Sequence, residues 1–276
     1  MTTTFIGGGN MATALIGGLA ARGAVAADFR VVEPSADARA RLAARHPGVA
    51  VHDACRRDAL AGVELVVFTV KPQQMREAAR VLAAQMPTGL EPVVLSVAAG
   101  IRLADLGRWL GGYRRLVRAM PNTPALIGRG ISALYAARDV DAPARELAAA
   151  VVEAAGEVIW VDAEAMLDAV TGVSGSGPAY VFYFIEALER AARELGFDAR
   201  DARRLAYATF AGAVALAQAS PEEPATLRAQ VTSKGGTTER AIATLEAGSA
   251  GTTIVAAVKA AAQRAKELGD AFGSDT

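Results

Sequence analysis

Two hydrophobic rhythms alternate along the first half of the chain. Apolar runs at 4–6, 29–32, 65–70, 93–97 and 116–119 look like short strands. The nearly continuous run at 65–70 has the character of a strand buried on both faces. Between them, 10–22 and 35–45 set apolar residues at helical spacing, and further strands are predicted at 131–135 and 157–161. Strands alternating with helices predict a mostly parallel sheet with helices on both faces. After Asp162 the strand pattern stops. Helices are predicted over 163–195, interrupted at Ser174-Gly175-Ser176-Gly177-Pro178, and then over 198–219, 223–232, 237–246 and 252–268. Gly196, Gly248 and Gly269 fall where helix C-caps are expected. The predicted organisation is an α/β domain over 1–162 and an all-α domain over 163–276. Segment 207–217 is apolar on more than one face. Such a helix must be buried, and a domain this small has little interior, so a partner subunit is expected to cover the rest.

Composition narrows the class. The 276 residues suffice for one large core or two domains, and 52% hydrophobic with 21% charged residues describes a soluble globular protein. Lys+Arg and Asp+Glu number 29 each, so no electrostatic footprint for nucleic acid or an anionic membrane is expected. No segment approaches the ~18 uninterrupted apolar residues of a membrane span. The start, MTTTFIGGGN, lacks the basic and apolar regions of a signal peptide. Cys55 is the single cysteine, which excludes an intrachain disulfide and suits a reducing cytoplasm; an inert thiol is expected. His46 and His52 lack metal-ligand spacing and are expected at the surface, and no metal site is predicted.

Two glycine-rich loops carry the candidate chemistry. Gly7-x-Gly9-x-x-Ala12 follows the first strand and opens a helix. Gly7 permits the tight turn, Gly9 a close approach to a pyrophosphate, and Ala12 close helix–strand packing, so a dinucleotide is the expected ligand. Glu33, 24 residues after Gly9, ends the second strand, where a carboxylate can accept hydrogen bonds from the adenosine ribose and favour NAD. Ser35, Arg39 and Arg56 instead favour a phosphate, and both alternatives stay open at this point. The second loop, Val231-Thr-Ser-Lys-Gly-Gly-Thr-Thr238, leads directly into a helical pattern. A helix start of this kind holds an anion through unpaired N–H groups.

Six motifs occur in order: Ile6-Gly-Gly-Gly-Asn-Met11, Val70-Lys-Pro72, Ser96-Val-Ala-Ala-Gly100, Arg118-Ala-Met-Pro-Asn-Thr-Pro124, Gly172-Val-Ser-Gly-Ser-Gly-Pro-Ala-Tyr180 and the second loop. Together they resemble the pyrroline-5-carboxylate reductases over nearly the whole chain. The last motif, extended through Leu245-Glu246, is the most specific to that family.

The resemblance implies an N-terminal Rossmann-like domain and a helical C-terminal domain that interleaves with a second subunit, as a homodimer or ring of dimers. It implies reduction of a cyclic imine, 1-pyrroline-5-carboxylate, to L-proline by NADP(H), with NAD(H) as the alternative. In this reading Ser233 and the backbone around Gly235, Gly236 and Thr237 hold the substrate carboxylate, and the Thr238 hydroxyl meets the ring nitrogen. Gly7, Gly9, Asn10, Met11, Glu33 and Ser35 would hold the cofactor. Val70, Lys71, Pro72, Ala98 and Ala99 would flank its ribose and nicotinamide, and Gln230 is a weaker candidate. Gly175 and Gly177 would allow close helix packing. Lys234 stands where proline is customary, and Arg56 where several relatives carry asparagine. The same-class alternatives are two-domain reductases of a different cyclic imine or of a β-hydroxy acid; the latter is disfavoured, because such enzymes use a lysine on the long helix and 163–195 has none. The intact Ser233, Gly236 and Thr238 disfavour a non-catalytic nucleotide sensor.

Overall fold

A computed structural model describes residues 1–274. The α/β half is one eight-stranded sheet: β1 (Thr3–Ile6), β2 (Phe29–Val32), β3 (Ala50–His52), β4 (Leu65–Phe68), β5 (Val93–Ser96), β6 (Leu116–Met120), β7 (Gly130–Ala136) and β8 (Gly156–Trp160). Their order is β3-β2-β1-β4-β5-β6-β7-β8. The six strands from β3 to β6 are parallel, β7 runs antiparallel to β6, and β8 is parallel to β7. The Rossmann-like domain with a mostly parallel sheet is therefore as expected. Two details differ. The edge strand β3 was not predicted, because its three residues lack a continuous apolar run. The fourth strand ends at Phe68, two residues before its apolar run does.

Strand alternation divides the core between the two faces of the sheet. Leu65 and Val67 join Phe5, Val31 and Leu95 under α1 (Asn10–Ala21), α2 (Ala36–Arg45) and α5 (Ala142–Glu153). Val66 and Phe68 join Ile6, Val32 and Val94 under α3 (Met75–Gln85) and α4 (Leu103–Trp109). Both faces of the central strands are thus covered, which is why their sequences are apolar without alternation. Cys55 lies buried in the second cluster, and burial, reinforced by the Asp58 carboxylate, pushes its thiol up to about 11. His46 and His52 are half-buried, a correction to the expected surface positions. His46 caps the end of α2 and lies over Gly17 of α1, and its pKa is lowered by burial and by Arg45.

The remaining helices are α6 (Met166–Val170), α7 (Gly177–Glu194), α8 (Ala199–Ala219), α9 (Pro224–Gln230), α10 (Thr237–Ala247) and α11 (Ala250–Ser274). Strands end at Trp160, close to the predicted boundary at 162, but the compact units divide later. One comprises Met1–Ser176 with the chain from Ala260 onward, and the other Gly177–Lys259. Residues 163–176 and the last turns of α11 thus belong to the same compact unit as the sheet. Gly269 also departs from expectation. It lies inside α11 rather than at its end, where a Cβ would meet Arg102 at 3.2 Å and the Gly100 carbonyl at 3.3 Å. Gly196 does adopt a left-handed φ of +103° after α7, whereas Gly248 ends α10 at φ −80°.

In the second unit α7 and α8 pack together, and Arg203 bridges to Glu189 at 3.3 Å. Ala202 and Ala206 are its only buried side chains among the described residues. Phe182, Tyr183, Leu195, Phe197, Tyr207 and Leu216 are all at least half exposed. No single described helix is long and apolar enough to cross a membrane, although α10 and α11, bent by 51° at their junction, reach that length and composition as a pair.

What ties 163–176 to the sheet is a buried cation. Arg118 on β6 is 2% exposed and faces the side of Leu116. Its Nη1 donates to Glu164 Oε1 at 3.1 Å, and Asp168 of α6 lies 3.7 Å from Nη2. The same Glu164 oxygen accepts from the Leu103 N–H at 2.8 Å, at the start of α4. A guanidinium taken from water to such a site is tolerated only with its carboxylates in place. Arg118→Ala would leave both acids without their cation. We expect unfolding free energy to fall by about 3–5 kcal/mol, measured by urea denaturation at fixed protein concentration; a loss below about 1 kcal/mol would reduce the cluster to a surface-type pair.

Candidate active site

The first loop follows β1 directly. Gly7 has φ +105°, and a Cβ there would come within 3.0 Å of the Thr69 and Val70 backbone. Its N–H donates to the Val32 carbonyl at 2.8 Å, and its carbonyl accepts from the Thr69 hydroxyl at 2.7 Å. Gly9 has open space beside it, with nothing within 4 Å of a Cβ. It precedes α1 without a side-chain cap, and the first turn of α1 has no acidic residue. Among the described residues, the N–H groups of Asn10, Met11 and Ala12 find no acceptor. Ala12 is fully buried against the sheet. The loop therefore offers free donors, positive helix-dipole potential and space for a close approach, which are the requirements of a diphosphate.

The other expected cofactor residues converge on the same edge of the sheet. Glu33 follows β2, Val70 follows β4, and Ala98 follows β5, all at carboxyl ends of parallel strands. The chain runs from β1 outward to β2 and β3 and then crosses to β4 on the other side of β1. That reversal is where ligands bind in open α/β sheets. Lys71 is exposed, Val70, Pro72 and Ala99 are half-buried, and Ala98 is buried. Ser35 is an exposed N-cap of α2, accepting from Ala38 N–H at 3.4 Å. Glu33 does something the sequence did not suggest. Its Oε2 accepts from Gly8 N–H at 2.9 Å and its Oε1 from Ser35 N–H at 2.8 Å. Arg39 donates to the Glu33 and Pro34 carbonyls, and Arg56 is paired with Asp53 at 2.6 Å, which holds the Asp53 carboxyl below its usual range.

The predicted interruption at 174–178 is a π-helical turn over Thr171–Gly175 that leads into α7. Ser176 N–H reaches back to the Thr171 carbonyl at 2.8 Å. Such turns often mark functional sites. Asn122 holds this one, donating from Nδ2 to the Ser174 carbonyl at 3.2 Å and accepting from Ile131 N–H at 3.0 Å. A Cβ on Gly175 would press on the Met120 methyl at 2.6 Å, so close packing explains this glycine. At Gly177 nothing lies within 4 Å, and packing does not explain it.

In the second unit, Gly236 caps α10 without a side-chain bond. Gly235, at φ +72°, donates its N–H to Glu239 Oε2 at 2.7 Å, and Gly236 N–H donates to the Ser233 carbonyl at 3.0 Å. Two of the expected donors are therefore used inside the loop. The N–H groups of Thr237 and Thr238 and the hydroxyls of Ser233 and Thr238 have no partner among the described residues. By contrast, α2, α5 and α8 all begin with a side-chain cap from Ser35, Asp141 or Asp198. Lys234 is exposed and forms no ion pair among the described residues, and Gln230 is exposed at the end of α9. Sequence reasoning missed Gly8, Thr69, Asn122 and Glu239. Thr69 and Asn122 adjoin or lie within motifs already singled out, but their bonds are tertiary.

Residues 164–268 match the family model for pyrroline-5-carboxylate reductase dimerisation, and residues 2–100 match the model for NADP oxidoreductase, coenzyme F420-dependent. The chain is 44% identical to the pyrroline-5-carboxylate reductase of Pseudomonas aeruginosa over 269 residues, covering 98% of this chain and 97% of that one. It belongs to the pyrroline-5-carboxylate reductase family. The enzyme of Pisum sativum is 37% identical, with 97% and 96% covered. Among solved structures, a pyrroline-5-carboxylate reductase from Coxiella burnetii is 37% identical, with a TM-score of 0.90 and coverage of 97% and 98%. The Plasmodium falciparum pyrroline carboxylate reductase, solved with NADP bound, is 25% identical with a TM-score of 0.84, covering 98% of each chain. The family assignment supports an NADP-dependent oxidoreductase domain and oligomerisation through the helical half.

Gly7 provides a direct check on the first loop. Gly7→Ala forces a side chain into a left-handed conformation against the backbone of 69–70. NADPH affinity, measured by fluorescence titration, should fall more than about tenfold, ~1.4 kcal/mol, while the thermal transition stays cooperative; unchanged affinity would exclude this loop from the cofactor site.

Proposed function

We propose that the protein reduces 1-pyrroline-5-carboxylate to L-proline with NADPH, the last step of proline biosynthesis, and that NADH is a second, weaker donor. In this reading 1–162 serves as the dinucleotide-binding domain and 163–276 as the domain for substrate and dimerisation. The observation that carries it is the loop before α10. An uncapped helix start with unpaired hydroxyls suits a small anion, and family membership supports reading that anion as the imine's carboxylate. The loop before α1 takes the cofactor diphosphate.

When bound, the cofactor supplies hydride from its nicotinamide. The chain's own residues bind and orient the substrate. The carboxylate sits against Thr237 and Thr238 N–H and the Ser233 hydroxyl. Gly235 and Gly236 shape the loop rather than donate, since their N–H groups are bonded to Glu239 and Ser233. Fixed at that end, the ring presents its nitrogen to the Thr238 hydroxyl, which holds the C=N plane toward the incoming hydride. Positioning is the main term the protein contributes to such a reaction. Ser35 and Arg39 form the expected seat for a 2′-phosphate. Arg56 is a weaker candidate because Asp53 already holds it.

The helical half supports a homodimer or ring of dimers. Tyr183 is 70% and Leu195 81% exposed in a unit with two buried side chains, an arrangement that calls for an apolar partner. Light scattering should give a dimer or a multiple of it; a stable, active monomer would overturn the assembly.

Activity is checked directly. Purified protein should oxidise NADPH only when pyrroline-5-carboxylate is added and should form L-proline. Thr238→Ala should lower kcat/KM by about 10- to 100-fold, the worth of one hydrogen bond of roughly 1.5–3 kcal/mol to a polar reacting group, with cofactor affinity unchanged. Near-normal turnover would remove Thr238 from the mechanism.

A further inference from the structure

We propose that Glu33 is a positioning residue that clasps the glycine loop and supports NADPH and NADH alike, instead of selecting between them at the adenosine ribose. The proposal rests on the reading that this loop holds the cofactor. Both carboxylate oxygens are engaged by backbone, Oε2 by Gly8 N–H and Oε1 by Ser35 N–H. One carboxylate thereby joins the loop after β1 to the start of α2.

The backbone of Glu33 is equally tied. Its N–H donates to the His52 carbonyl at 2.9 Å, and its carbonyl accepts from Arg39 at 2.9 Å. The side chain also lies flat along the loop. A Cβ at Gly8 would be 3.1 Å from Glu33 Cβ and 3.2 Å from its Cγ, so glycine at position 8 gives the clasp its room.

The fit has a consequence for the ligand. Gly8 is buried, and its N–H has no acceptor other than Glu33. Turning the carboxylate toward a ribose would strand that buried donor and give up the Ser35 bond as well. With Gly8 N–H drawn toward β2, the donors left for the diphosphate are those of Asn10, Met11 and Ala12, whose direction depends on how the preceding glycines are held. Cofactor preference then falls to groups outside the clasp, such as Arg39.

The test measures binding of NADPH and NADH to the full-length protein without substrate, by calorimetry, for wild type, Glu33→Ala and Glu33→Gln. Deuterium uptake over 7–11 is followed in the cofactor-free proteins. Because no substrate is present, the result does not depend on which imine the enzyme reduces. Glu33→Ala should weaken both cofactors by a similar factor, about five- to twentyfold for the loss of two backbone bonds, and speed exchange over 7–11. Glu33→Gln, which keeps one acceptor, should recover part of both affinities, a rescue that also guards against misfolding of the alanine variant. A change in the NADPH-to-NADH affinity ratio beyond about threefold, in either direction, would overturn the clasp in favour of direct contact with the adenosine end. So would affinities in Glu33→Ala that match wild type.

Discussion

Arg118 imposes a condition that much of the first unit satisfies. It occupies an interior position of a strand whose neighbours are apolar, at 2% exposure. Among the described residues its desolvation is offset by Glu164 and Asp168, which lie beyond the last strand. The chain leaving β8 must therefore return beneath β6. Glu164 also accepts the Leu103 N–H, which fixes the start of α4. From α4 the constraint continues outward, because Arg102 pairs with Asp270 at 2.7 Å and Arg108 donates to the Gly273 carbonyl. One buried charge thus aligns β6, α4, α6 and the end of α11. The same alignment brings the π-helical turn against Met120 and Asn122.

The two glycine loops solve related problems with different internal bonding. Before α1 the donors at the helix start are left free, and Glu33, Val32 and Thr69 restrain the glycines from outside the loop. Before α10 the loop is restrained from within, by Glu239 on Gly235 and by Ser233 on Gly236. In the function proposed above, a diphosphate needs several N–H groups, and the bare helix start of the first loop suits it. The proposed carboxylate needs fewer donors, and the Ser233 and Thr238 hydroxyls would supplement the backbone in the second. Neither helix carries the side-chain cap found on α2, α5 and α8.

The second unit has little interior of its own. Its exposed aromatic and aliphatic side chains lie in the segment that matches the dimerisation model. Stability of the helical half and assembly are therefore one thermodynamic question, as in other proteins whose folded monomer lacks a closed core.

Much of this was legible in the sequence by itself. Buried parallel strands have no alternation, so β4 and β5 stood out as apolar runs, whereas the three-residue edge strand β3 did not. Gly7 and Gly9 were legible because a positive φ and a close ligand approach exclude side chains at fixed spacing. The resemblance carried by six ordered motifs extended that reading to the loop before α10. Only the tertiary structure decided how those residues are used. From the sequence Glu33 had the adenosine ribose as its expected partner; its bond to the Ser35 N–H is local, but the Gly8 N–H comes within reach only once β1 and β2 pair. Gly269 looked like a helix end, but its role is to admit the Arg102 guanidinium. Arg118 looked like an ordinary charged residue within a motif until its carboxylates, 46 and 50 positions later, arrived beside it. Local patterns record which backbone conformations are affordable; where a charge or an N–H finds its partner depends on contacts between residues far apart in the chain, and those exist only in the folded molecule.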